Sequence, residues 1–506
     1  MTIGSLLTCS LAQAGEDPNI IVTTTEDAAI DSPTGECTLR AAVESAQTQS
    51  AVDGCEAGQS IINIIGFESE LAESTITLTE GQIQIHDPET LVIQGPVAEA
   101  PAGITIDGGG NSRLFDIEGG VQVGMKYLTL SGGQTTEGGY SGGGAAINAR
   151  DTTLLLEQVV ISGNRTDGSL AAGGAILAVD VDLSLANATI TGNSTHDSNS
   201  RGGAMNLVRS QVSISNSVIS HNSTDGLHAQ GGGIRINDSS ATLTRTRIAN
   251  NRTLSSNSRG GGLAVSDSNV QIIESTIASN KTSLSQSRGG GLAASFSDII
   301  LDRSTFSGNS TQASGVHGGG VSTSRSNLEM RQSTLSGNHA GGIGGGIHFA
   351  NPYDQNYDLS VLYSTVAFNT ADEGTDGIEH GGNQTFILRT SLVAQQSPEE
   401  VGCNKQPDKY LDSVSTDAVC SGNAATLSDI ALQPLTNNGG RTLTHALADG
   451  SVAIEVGSNC NTTYDLTSDQ RSFPRPGLGT ALCDAGAFEA QPDDAVFHDG
   501  FVDDAN

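Results

Sequence analysis

Asparagine recurs at one fixed interval through the middle of this 506-residue chain. Asn164 to Asn193 is a step of 29 residues, and the same step leads on to Asn222, Asn251, Asn280, Asn309 and Asn338. A second column keeps that period through Ile147, Ile176, Met205, Ile234, Leu263, Leu292 and Val321, each preceded by small residues such as Gly231-Gly232-Gly233. Self-similarity at this length marks an architecture in which each repeat is one unit stacked on the next. Such a chain escapes the size limit of a single globular core, because its interior grows one turn at a time.

Within one copy, Gly260-Gly261-Gly262 precedes Leu263 and Val265, then Val270 and Ile272, then Ile277 and Asn280. Apolar residues at alternate positions predict three short strands per turn, each with one side facing inward. Three such faces close an all-β, right-handed parallel β-helix, the hand being the favoured one for parallel crossovers. The 64 glycines and the 16% of charged residues suit many tight corners and few long helices. Asn164, Asn193, Asn222, Asn251, Asn280 and Asn309 each open an Asn-x-Thr sequon. A ladder of stacked amides at the corner after the third strand accounts for them better than glycosylation does.

Residues 60–400 are expected to form the helix, with regular rungs over about 144–369. Asn19 to Thr25 reads as a first strand, and the segment from Leu39 to Ala46 as a short helix with Thr38 as N-cap, plugging the open end of the solenoid within residues 15–59. Early, irregular rungs are expected at Ile61–Ile65, Thr75–Leu78, Gln82–Ile85, Leu91–Ile93, Ile104–Ile106, Leu114–Ile117 and Tyr127–Leu130. Asp107-Gly108-Gly109-Gly110-Asn111 is a turn, since no strand-to-helix unit surrounds it as a phosphate loop requires. Phe386–Leu388 and Leu392–Ala394 are the expected last strands, followed by a cap region over 401–490 and an acidic tail over 491–506.

Cys37-Thr38-Leu39-Arg40-Ala41-Ala42 resembles the N-terminal CSLREA motif of bacterial secreted β-helix proteins. Thr38 stands for the usual Ser and Ala41 for the Glu, so the reciprocal capping-box bond is absent. Asn437 to His445, Asp469-Gln470-Arg471, Pro474-Arg475-Pro476 and the segment from Asp484 to Glu489 resemble the C-terminal region of choice-of-anchor Q proteins. Gly173-Gly174-Ala175-Ile176 and Phe306-Ser307-Gly308-Asn309 are similar to the GGAI and FxxN repeats of chlamydial polymorphic outer-membrane proteins, which are surface adhesins. These resemblances imply a pectate-lyase-like solenoid that is secreted or held on the outer surface of a bacterial cell.

Residues 1–14 end in Ala12-Gln13-Ala14 and read as an export signal with an incomplete start. Removing Cys9 with it leaves Cys37, Cys55, Cys403, Cys420, Cys460 and Cys483, all outside the regular repeats. Several pairings stay open, of which sequence neighbours make the simplest set. No Cys-x-x-Cys pair supports zinc, and no metal site is expected. The net charge of −33 argues against nucleic acid and anionic membrane surfaces. No stretch approaches the roughly 20 apolar residues of a spanning helix, and a monomer is expected.

One further column could carry chemistry. Arg201, Gln230, Arg259, Arg288 and His317 precede the Gly runs, again 29 apart. Stacking places them in a line, where like charges repel unless an anion is held. Together with Arg235, Arg252 and Lys281 they suggest a site for a polysaccharide or a host or cell-surface glycan, in a binding or adhesion protein. A solvated edge paired with local carboxylates would explain the same residues. A polysaccharide lyase would use Arg259 or Arg288 as base and His317 as helper, with calcium as its cofactor; otherwise no cofactor is expected. A glycoside hydrolase needs paired carboxylates that the spacing does not reveal, and a purely structural surface protein needs none of this.

Overall fold

The computed structural model describes residues 17–86, 89–96, 103–350, 357–397, 399–422, 424–458, 460, 466–477 and 481–491. The export-signal residues 1–14, Cys9 and tail residues 492–506 lie outside the described residues. The chain divides into two compact units, residues 1–226 with 233–240, and residues 227–232 with 241–506.

The first unit is a parallel β-solenoid with a helical plug. Strand Ile20–Val22 pairs in parallel with Ile62–Phe67, and helix Leu39–Thr48 packs on both and on Ile83–Ile85. Thr38 caps the helix by accepting from the Ala41 N–H at 3.1 Å, one-sidedly as expected. Ala41 itself is buried, which explains why a carboxylate is missing there. The Cys37–Cys55 disulfide closes the loop after this helix. The early rungs appear within a residue or two of their expected places, and the strand Gln122–Lys126 was hidden because Gly124 and polar ends interrupt its apolar pattern. Later turns pair in register, Ile147 with Ile176, Ile176 with Met205 and Met205 with Ile234.

The second unit repeats the same turn. Leu263–Ser266, Asn269–Ile273 and Thr276–Ala278 are the three strands read from the sequence, and a two-residue strand, Lys281–Thr282, follows the asparagine. The first two strands belong to one sheet, and the other two to one sheet each, so the turn keeps three faces. The fourth strand left no apolar signal because its only inward side chain is a threonine. Leu263 pairs with Leu292, Leu292 with Val321, Val321 with Ile347 and Ile347 with Ile378. Spacing in sequence changes after Val321, yet register holds because the differences fall in turns. Corners recur as left-handed residues: Gly260, Asp267, Glu274 and Ser279 in one turn, then Gly289, Phe296, Arg303 and Gly308 in the next. Gly260 is obligatory, since a Cβ there would lie 1.9 Å from the Leu263 carbonyl oxygen. Phe296 and Arg303 show the stack imposing a backbone their side chains disfavour.

Asparagines form the expected single file in each unit. The Asn164 backbone N–H and side-chain amide both donate to Asn193 Oδ1 at 3.0 Å, and Asn193 repeats this on Asn222. In the second unit the same double bond runs from Asn251 to Asn280, then to Asn309, Asn338 and Asn369. All of these residues are 0% exposed, which excludes glycosylation of the folded chain at these sequons. A hydroxyl ladder that the sequence reading missed runs beside it, Ser275 N–H to Ser304 Oγ, then on to Ser333, Ser364 and Ser391.

The C-terminal region does more than close the end. Val401–Cys403, Lys409–Leu411 and Val414–Ser415 pair with the preceding turn, and Cys403–Cys420 and Cys460–Cys483 are bonded, completing the pairing of sequence neighbours. The chain then turns back along the outer side of the second sheet. Thr305 Oγ1 donates to the Leu443 carbonyl, Thr334 Oγ1 to Gln470 Oε1 at 2.7 Å, and the Ala487 N–H to Thr365 Oγ1 at 3.0 Å. Ile430, Ala453 and Ala485 bury themselves against Ala367, Leu392 and Ala394. This strap is held by buried ion pairs, Arg471 with Asp469 at 2.8 Å and Arg475 with Glu489 at 3.1 Å. Burial pushes the Glu489 carboxyl up to about 7, with Arg475 pulling it down and Asp484 pushing it further up.

Two outcomes are expected. Asn309→Ala strands the Asn280 donors in a dry seam and should lower the free energy of urea unfolding by about 3 kcal/mol; a loss below about 1 kcal/mol would show that the ladder contributes little. Because the Glu489 carboxyl titrates higher when folded than its ordinary 4.5, its stabilisation is complete below about 4.5 and lost as pH rises through about 7. Thermal melts of Glu489→Gln should therefore show a shallower decline across that window than the parent chain.

Candidate functional site

The residue before each Gly run is locked in place by the turn that precedes it. Ser258 Oγ donates to the Ser255 carbonyl at 2.6 Å, and the Ser258 N–H reaches Ser287 Oγ on the next turn. Gln230, Arg259, Arg288 and His317 follow as a parallel column of backbone bridges in the second unit. Arg201, in the first unit, is bridged to Ala172. Arg259 and Arg288 are exposed, and neither has a carboxylate partner among the described residues. Partial burial, and then the charge of Arg288, push the Arg259 pKa down.

This column is a ridge between two depressions. On one side lies a groove of about 140 Å³ with Ala264, Ala293 and Ser322 in its floor, Arg259 and Arg288 on one bank, and Phe296 and Arg325 on the other. Ala264, Ala293 and Ser322 are paired positions of consecutive strands, so three small side chains in register make the trough. Phe296 is 48% exposed, held outward by its left-handed backbone, and the Arg325 guanidinium lies 5.2 Å from its ring centre. On the loop side a wider depression of about 450 Å³ is lined by His228, Asn257, Gln286, Arg259, Arg288 and His317, among others. Three guanidinium groups and an aromatic face around one trough suit an anionic, ring-bearing ligand.

Beyond Ser322 the strand column continues with His348, its register partner, then Glu379, neither of which lines the groove. The His348 ring lies 4.7 Å from the His317 ring, and its Nδ1 is 3.3 Å from Ser322 Oγ. Burial is the main cause that lowers its pKa to about 3, with His317 and Arg288 adding repulsion. His317 is lowered by partial burial and by Arg288, against the opposing pull of Glu373.

The other expected residues do not join this groove. Arg235 lies in the first unit, buried, with its guanidinium donating to Asn206 Oδ1 at 3.2 Å and Asn237 Oδ1 at 2.9 Å. Arg252 and Lys281 are register partners on the two-residue strands, and line neither depression. Asp151, Asp180, Asp238 and Asp267 occupy left-handed corners, so turn geometry explains them. Phe296 and Arg325 escaped notice, although they interrupt that corner column with residues poorly suited to it. No group of three or more His, Cys, Asp or Glu among the described residues is arranged to hold a metal ion. No described helix is long and apolar enough to cross a membrane.

No family model matches the chain, and neither does any curated protein. Among solved structures, a crystal structure of pectate lyase Pel9A aligns over 84% of this chain and 87% of its own, with 11% sequence identity and a TM-score of 0.33. That likeness is too loose to inform the chemistry of the groove.

His348 is expected to stay neutral throughout the physiological range, its ring proton resonances flat in NMR until pH approaches about 3. A midpoint near the ordinary 6.5 would mean that water reaches the buried ring.

Proposed function

We propose that the second unit binds an acidic polysaccharide along its arginine ridge, as a secreted or cell-surface glycan-binding protein. The observation that supports this most is the pair Arg259 and Arg288. Two cations sit on adjacent turns, with no carboxylate partner among the described residues, in a chain of net charge −33. Stacked rungs lie about 4.8 Å apart, so keeping both charged costs repulsion that a bound polyanion would offset. Phe296 offers a face on which a sugar ring can lie, and Arg325 a third charge. Three disulfides agree with an oxidising, extracellular setting.

A lyase is the second reading, favoured by His317 and Arg259. Both are pushed toward their neutral forms beside Arg288, as proton acceptors near a bound uronate would be. In that case the ridge abstracts a proton from the polymer that it holds, and unsaturated ends accumulate.

Titration with polygalacturonate, alginate and a neutral glucan separates these outcomes. Saturable binding to the acidic polymers is expected, weakening as salt rises, and Arg288→Ala should weaken it at least about tenfold, equivalent to about 1.4 kcal/mol. Equal affinity for the neutral glucan, or none for any polymer, would overturn the proposal. Ultraviolet absorbance of unsaturated products, followed in the same mixtures, decides whether the bound polymer is also cleaved.

A further inference from the structure

Ser322 and His348 are not required by the stacking that surrounds them. In the same outward-facing column, Ala264 and Ala293 occupy the two preceding turns without any polar group. A serine and a histidine at the next two positions therefore add chemistry that the ladder can do without. They face each other in register, with Ser322 Oγ 3.3 Å from His348 Nδ1, a distance at the loose end of what an unliganded nucleophile and its base show. Ser322 lines the arginine groove, while His348 is buried beneath the His317 ring.

We propose that Ser322 and His348 act as a nucleophile and general base that remove ester-linked acyl groups from an acidic polysaccharide lying in the groove, an inference that rests on the glycan-binding reading above. Ser322 Oγ attacks the ester carbonyl carbon while its proton passes to His348 Nδ1. The carbon–oxygen bond to the sugar breaks, and the sugar oxygen takes that proton, leaving an acyl group on Ser322. Water, deprotonated by the same imidazole, then attacks the acyl carbon; the carbon–oxygen bond to Ser322 breaks, Oγ takes the proton back from the imidazole, and the carboxylic acid leaves. Arg288 lines the same trough and supplies positive charge near the developing oxyanion. Burial keeps the His348 ring neutral and its Nδ1 able to accept a proton, although a ring lowered to about 3 is a weak base, so slow deacylation is expected.

The pair acts without a third member. Glu379 is the next register partner of His348, but its carboxylate accepts from Thr375 Oγ1 and from Asn404 Nδ2. The His317 Nδ1 takes the Ile343 N–H at 3.4 Å, which places the proton of that ring on Nε2. Packing against the His317 ring orients the His348 imidazole in place of a carboxylate.

The full chain is treated with an alkyl fluorophosphonate probe and, separately, with 4-nitrophenyl acetate and acetylated polygalacturonate. Stoichiometric labelling of Ser322 and release of acetate from the polymer are expected. Ser322→Ala should abolish both, and His348→Gln should slow acetate release at least about 100-fold. Ser322→Ala reproduces the alanines of the preceding turns, so the chain should still melt cooperatively, at most a few degrees lower for the lost His348 contact, and show that any loss is chemical. A folded parent chain that neither labels nor releases acetate, or a Ser322→Ala chain that still does, overturns the proposal. Binding of de-acetylated polygalacturonate, measured in parallel, reads the arginine ridge alone. Binding without deacylation sinks the dyad and leaves the ridge, whereas labelling of Ser322 without polygalacturonate binding does the reverse.

Discussion

Everything in this molecule depends on one turn of chain finding its hydrogen-bond partners in the next. Strands of two to five residues, such as Lys281–Thr282 and Asn269–Ile273, are too short to persist alone. They are ordered because the turns above and below offer the same backbone groups at the same height. The buried asparagine file enforces that height, since each Oδ1 receives two N–H groups from the turn before it. A slip by one residue would leave those donors without acceptors in a seam that water does not enter, and would turn every inward side chain outward.

The same constraint produces the groove. Stacking repeats whatever a position carries, so three small residues in register become a trough and two arginines become a ridge. Left-handed corners let the backbone turn sharply between short strands, and they also decide what projects. At Phe296 and Arg325 the corner sends out an aromatic ring and a guanidinium where four other turns carry aspartate and one, at Arg209, an arginine. Charge on the ridge then acts on the groove floor, since Arg288 is among the causes that keep both His317 and His348 from protonating.

The returning strap gives the second unit contacts that its rungs do not make. Thr305, Thr334 and Thr365 occupy one outward column of the second sheet, and their hydroxyls meet the strap at Leu443 and Gln470, at Gln470 again, and at Ala487. Inside the strap, Arg475 and Arg471 bury their charges against Glu489 and Asp469, and Arg471 also lies over the Phe488 ring at 3.7 Å. Buried charges of this kind are costly unless paired, so the network makes the strap's conformation specific more than it makes it stable.

Much of this was legible in the residues alone. The period, the inward columns at Ile147 and Leu263 and the asparagine file follow from local pattern, because a stacked repeat converts sequence spacing directly into spatial neighbourhood. The arginine column was visible for the same reason. The two-residue strand after each asparagine, the strap and the Ser322–His348 contact were not. The strand is too short to show a pattern, and the strap joins residues more than a hundred positions apart. The contact crosses a turn whose length departs from the period. The sequence determined that the chain stacks and which residues share a line. Only the tertiary structure decided which lines become a groove, because depth depends on the relative size of side chains brought together from different strands and loops.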